Sequence, residues 1–97
     1  MKQAIEVVVF RTKAGTKPEQ LQSAALAVTP VLSAMPGFIS REFGESEDGQ
    51  FVDIVYWKDL TSAKQAAEKA MSIPVCGEFF GLIDQRQMQF MHFNKVT

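Results

Sequence analysis

The chain has only one cysteine, one histidine, one tryptophan and one tyrosine in its 97 residues. Cys76 alone cannot close an internal disulfide, so the fold must rest on its apolar core, as expected in a reducing cytoplasm. Long hydrophobic runs are missing too. Stretches such as Val7-Val8-Val9-Phe10 fall far short of the ~20 residues that cross a bilayer. No excess of one charge is present: 10 Lys and Arg against 11 Asp and Glu give a net charge of −1. That balance argues against phosphate-backbone binding, which needs clustered positive charge, so no nucleic-acid partner is expected. The opening residues, Met1-Lys2-Gln3-Ala4-Ile5-Glu6, lack the apolar core and cleavage site of a secretory signal, and the expected location is cytoplasmic. A Gly-rich phosphate loop, a serine nucleophile elbow and a dinucleotide fingerprint are all lacking. No tight spacing such as His-x-x-x-His favours a metal, and none is expected.

What is present reads as one globular domain, residues 1–97. Apolar residues make up 46% and charged residues 22%, with no repeat, linker or low-complexity run. A chain this long buries about 60–70% of its unfolded surface, enough for one core. Ala4 to Arg11 is a strand by its β-branched content. Thr16-Lys17-Pro18-Glu19 has the form of a capping box ahead of a helix. Leu21, Ala25, Val28 and Leu32 then form one apolar stripe, with a kink expected at Pro30, an end near Met35 and a left-handed exit at Gly37. Phe38 to Glu45 and Phe51 to Trp57 are strands joined by the Asp48-Gly49 turn. Asp59, Thr61 or Ser62 can cap a second helix, whose Ala63, Ala66, Ala67, Ala70 and Met71 make a flat face that ends at Pro74. Val75 to Leu82 predicts a short helical turn, and Ile83 to Val96 a long last strand. The fold class is α+β: the order βαββαβ with a four-stranded antiparallel sheet is the ferredoxin-like arrangement.

A lone two-layer domain should alternate apolar and polar along each strand. Here both registers are apolar. Ile5, Val7 and Val9 oppose Val8 and Phe10; Val52, Ile54 and Tyr56 oppose Phe51, Val55 and Trp57; Met91 and Phe93 oppose Met88 and Phe90. The side away from the helices would expose a patch larger than monomers usually tolerate. A second copy packed face to face about a two-fold axis is the simplest cover, so a homodimer through the sheet faces is expected.

Polar residues within the less uniform register are where chemistry could reside. Glu6, Asp53 and Trp57 share it, and His92 falls in line with Met88 and Phe90. On the second strand, either Arg41 or the Ser40–Glu42 pair joins them; strand register leaves both open. A carboxylate or imidazole in such surroundings has a shifted pKa and can serve as a base. His92 and Asp53 are therefore the candidate catalytic groups, with Glu6, Phe10, Arg41, Trp57 and Phe90 as candidate substrate contacts. The methionines with Phe79, Phe80, Phe90 and Phe93 suit either an adaptable pocket for a flat aromatic ligand or ordinary core. Cys76 reads as an inert buried thiol.

Met35-Pro36-Gly37-Phe38-Ile39-Ser40, the hairpin after it, and Val55-Tyr56-Trp57-Lys58-Asp59 before a helix resemble the dimeric α/β-barrel superfamily, and its antibiotic-biosynthesis-monooxygenase-like branch most closely. The resemblance covers nearly the whole chain in element order. It implies a homodimer with facing sheets that binds a small, often aromatic, ligand between sheet and helices. It also implies a cofactor-independent monooxygenase acting on a phenolic or quinol-type substrate, so no cofactor is expected. The alternative is a non-catalytic ligand-binding or accessory protein of the same fold. The haem-degrading branch fits poorly: it places an Asn on the first strand, a Trp in the second helix and a His just beyond. This chain has Glu6, no Trp in that helix, and Phe79-Phe80 at those places.

Overall fold

The structure, a computed structural model, describes residues 2–97. Its elements are β1 (Ala4–Thr12), α1 (Pro18–Ser33), β2 (Phe38–Glu45), β3 (Phe51–Trp57), α2 (Leu60–Ala70), α3 (Pro74–Phe80) and β4 (Ile83–Asn94). The strands form one antiparallel sheet in the order β2-β3-β1-β4. This is the expected ferredoxin-like fold, with α3 as a full short helix between α2 and β4.

The helix stripe read from the sequence is the buried one: Leu21, Ala25, Val28 and Leu32 all face the core. The capping box does not form. Lys17 holds the N-cap position and makes no side-chain cap bond, because Thr16 lies one residue too early and donates its N–H to the Lys13 carbonyl. Pro18 opens the helix, where its missing N–H costs nothing. Pro30 sits inside α1, which runs on only to Ser33, two residues short of Met35. Gly37 has φ +87°, and a Cβ there would lie 2.7 Å from the Ser62 side chain; both the backbone angle and the close approach require glycine.

In α2 the cap is Asp59, whose carboxylate accepts from the Ser62 N–H at 2.7 Å. Ala63, Ala66 and Ala70 are buried, and such small side chains let the helix lie close to the sheet. Met71, expected on that face, is largely exposed.

Strand register arranges the helix-facing side of the sheet in rows. His92, Glu6, Val55 and Arg41 form one row across β4, β1, β3 and β2. Asn94, Ala4, Trp57 and Phe38 flank it on one side, and Phe90, Val8, Asp53 and Phe43 on the other. The next row, Met88, Phe10 and Phe51, passes into the core. Arg41 takes this face because two residues of β2 oppose one of β3 between Phe38 and Ser40. That bulge flips the alternation, so Ser40 and Glu42 point the other way, beside Tyr56 and Ile54.

Candidate functional site

Between the sheet and the helices lies a cavity of about 440 Å3. Glu6, Val8, Asp53, Val55 and Trp57 supply its sheet side; Val28 and Leu32 of α1, Ala67 and Ala70 of α2, and Phe79 and Phe80 of α3 supply helix walls. Glu68, Met71, Gln85, Met88 and Phe90 complete it. The volume and the largely apolar walls with a few polar groups suit a small organic ligand.

Two polar pairs stand under this cavity. The first is Glu6 with His92, whose Nε2 lies 3.0 Å from the Glu6 carboxylate. They are direct cross-strand partners, so the backbone itself sets them side by side. Burial pushes the Glu6 carboxyl above its ordinary pKa. The hydrogen bond and charge of His92 work in the opposite direction, and the nearby Asp53 charge adds to the rise. Such a group holds its proton more readily than a solvated carboxylate.

The second pair is Arg41 with Asp53. Arg41 Nε and Nη2 donate to the two carboxylate oxygens at 2.9 and 2.7 Å. Nη1 donates to the Ala25 carbonyl at 2.5 Å and to the Thr29 hydroxyl at 3.0 Å. The guanidinium also lies 5.6 Å from the ring centroids of both Phe43 and Phe79. Only 3% of the Arg41 side chain and 8% of the Asp53 side chain are exposed. Each guanidinium nitrogen is engaged, so this pair fastens α1 to the sheet and fixes the orientation of the Asp53 carboxyl group.

Trp57 is fully buried, packs edge-on against Phe38 and lines the cavity. Its indole N–H is the one buried side-chain polar group among the described residues that lacks a partner. A buried donor left unpaired is costly, and a ligand oxygen would relieve it.

Of the residues singled out from sequence, Glu6, Asp53, Trp57 and Phe90 line the cavity together. His92 stands behind Glu6 and edge-on to Phe90, with ring centroids 5.0 Å apart, and reaches the cavity through the Glu6 carboxylate. Arg41 stands behind Asp53 and borders a separate groove between α1 and β2. Phe10 is core: it is fully buried against Phe51 and Phe79. Of the aromatic and methionine set, Met71, Met88, Phe79, Phe80 and Phe90 reach the cavity, whereas Phe93 lies on the opposite face beside Ile5. Glu68 and Gln85 were missed. Glu68 precedes Met71 by three residues, one turn of the same helix flank, and that spacing was the available signal. Cys76 is buried, and burial raises its thiol pKa. No group of His, Cys, Asp and Glu side chains large enough to hold a metal ion occurs among the described residues. No helix among them is long and apolar enough to cross a membrane.

No protein-family model matches the chain, and no curated protein matches it by sequence. Solved structures do match its fold. SnoaB, a cofactor-independent oxygenase from Streptomyces nogalater, superposes with a TM-score of 0.83 at 16% identity, covering 100% of this chain and 96% of that one. A candidate antibiotic biosynthesis monooxygenase from Nitrosomonas europaea gives 0.79 at 15% identity, covering 98% and 91%. A dimeric ferredoxin-like protein of unknown function from Thermobifida fusca gives 0.76 at 11% identity, covering 97% and 92%. The chain therefore has the fold of antibiotic-biosynthesis-monooxygenase-like proteins, a ferredoxin-like sheet with helices on one side.

Proposed function

We propose that this protein is a cofactor-independent monooxygenase whose substrate is a hydroxylated aromatic, phenolic or quinol-type, held between the sheet and the helices. The observation that carries the reading is the Glu6–His92 pair, 3.0 Å apart, with Glu6 at the floor of a largely apolar cavity. A cofactor-free oxygenation needs a base that makes an electron-rich anion in a dry site, so that the substrate itself reduces dioxygen.

In this scheme Glu6 takes the phenolic proton, and His92 orients the carboxyl group through its hydrogen bond. The Trp57 indole N–H, otherwise unpaired, donates to the phenolate oxygen. The phenolate transfers electrons to O2, and a C–O bond forms at the ring carbon para to the oxygen. The Glu6 proton returns to the distal peroxide oxygen. Loss of water, using the hydrogen on that ring carbon, cleaves the O–O bond and leaves a quinone. One O2 is consumed and one water released per substrate oxidised to the quinone. Asp53, clamped by Arg41 through both oxygens, is a positioning residue that shapes the field around Glu6. That role replaces its sequence-based candidacy as a base, since a carboxylate clamped by both oxygens is poorly placed to accept a proton.

A homodimer through the sheet faces belongs to the same proposal. The side of the sheet away from the helices carries Ile5, Val7, Val9, Val52, Ile54, Tyr56, Met91 and Phe93. Phe93 is 49% exposed. Among the described residues no element packs over this face, and one protein of the same fold is described as dimeric. A second copy would cover the face and leave each cavity intact on its own helix side.

The test is oxygen uptake by purified protein with a panel of phenols and 1-naphthols whose para ring carbon carries a hydrogen, in chelator-treated buffer. Uptake at one O2 per quinone formed, reduced by about 100-fold or more in Glu6→Gln, is the expected result. Tight binding of the panel without oxygen uptake would instead make the chain a ligand-binding or accessory protein.

A further inference from the structure

The cavity wall has an uneven charge. Three carboxylates, those of Glu6, Asp53 and Glu68, belong to it, and no Lys or Arg does. Arg41 neutralises Asp53, yet its donors are spent on Asp53, Ala25 and Thr29, so it offers nothing to a ligand. Glu68 is exposed on α2 at the helix side of the cavity and enters no ion pair among the described residues. Phe79, Phe80 and Phe90 add aromatic rings, whose faces attract cations. Trp57, whose buried indole N–H has no partner among the described residues, lines the same cavity.

Resting on the reading of this cavity as the substrate site, we infer that it takes hydroxylated aromatics bearing a protonated amine and rejects acidic ones, because Glu6 and Glu68 line it together with phenylalanine rings and, among the described residues, no Lys or Arg does. The phenolic oxygen lies between Glu6 and the Trp57 N–H. The ammonium points outward to Glu68 and the phenylalanine faces. A carboxylate or phosphate at that position would meet the like charge of Glu68, with no Lys or Arg in the lining to pair it.

Three probes with one ring system test this: 6-hydroxynaphthalene carrying an aminomethyl, a hydroxymethyl or a carboxylate group at position 2. Their affinities are measured by calorimetric titration at pH 7.5 and low salt. The amine should bind about fivefold or more tightly than the neutral alcohol, and the acid about fivefold or more weakly. Glu68→Gln should narrow the amine-to-alcohol ratio, and Glu68→Lys should turn the preference toward the acid. Glu68 is solvent-exposed, so neither change threatens folding. If the alcohol binds but the amine does no better, or the acid binds as well, the charge selection is overturned while the pocket reading stands. If none of the three binds, both fall.

Discussion

Glu6 shows how far a single residue can be read before its neighbours are known. From sequence it was one polar residue in an apolar strand; the partner on β4 and the burial that raises its pKa came only with the register. The sign of its effect on stability follows. A carboxyl whose folded pKa is raised above its ordinary 4.5 favours the fold when protonated. Its contribution is full below the unfolded pKa and is lost as pH rises through the folded value. Glu6→Gln, which keeps a hydrogen-bonding group for His92, should match the wild type in thermal stability at pH 4. It should exceed the wild type at pH 7. Melting curves at the two pH values check it, and a variant that loses ground as pH rises would show that the pair stabilises the ionised form instead. Phe10 teaches the converse: an aromatic in the right register is not thereby at the site, because its row runs under α3 into the core.

At the scale of elements, the strands, both main helices and the face that each helix buries were legible, since periodicity and turn residues report local geometry directly. Two things were not. The capping box at Thr16 depends on a helix start one residue away from where it falls. The choice between Arg41 and the Ser40–Glu42 pair depends on a bulge in an edge strand, which no alternation pattern reveals. That bulge has a large energetic consequence, because it brings Arg41 to Asp53, Ala25 and Thr29 and so ties α1 to β2 and β3. Removing one partner leaves a buried charge uncompensated. Arg41→Met should cost about 3–5 kcal/mol in urea unfolding. The double variant Arg41→Met/Asp53→Leu should regain most of that loss, since an apolar pair of similar volume leaves no orphan charge. Additive losses in the double variant would mean that the two residues act separately.

For the whole molecule, the two faces of one sheet have different tasks. The helix-covered face encloses a cavity and its polar pairs; the bare face is apolar along β1 and β3, mixed along β4 where Gln89 joins Met91 and Phe93, and polar along the edge strand β2, where Ser40, Glu42 and Gly44 lie. Sequence alone showed that both registers were apolar, but not which one the helices cover. A dimer in which two bare faces meet predicts that Ile54→Glu, a charge placed at the middle of β3, converts a dimer to a monomer in sedimentation velocity while leaving the helix-side cavity untouched. A wild-type chain that sediments as a monomer at low micromolar concentration would refute it.

The account turns on a base at the cavity floor that ionises a bound phenol, and absorbance under anaerobic conditions reads that event without turnover. A naphthol with a solution pKa about two units above the working pH, titrated into the oxygen-free protein, should develop its naphtholate band on binding to the wild type but not to Glu6→Gln. A naphthol that binds the wild type with comparable affinity and keeps the spectrum of its neutral form would contradict the account.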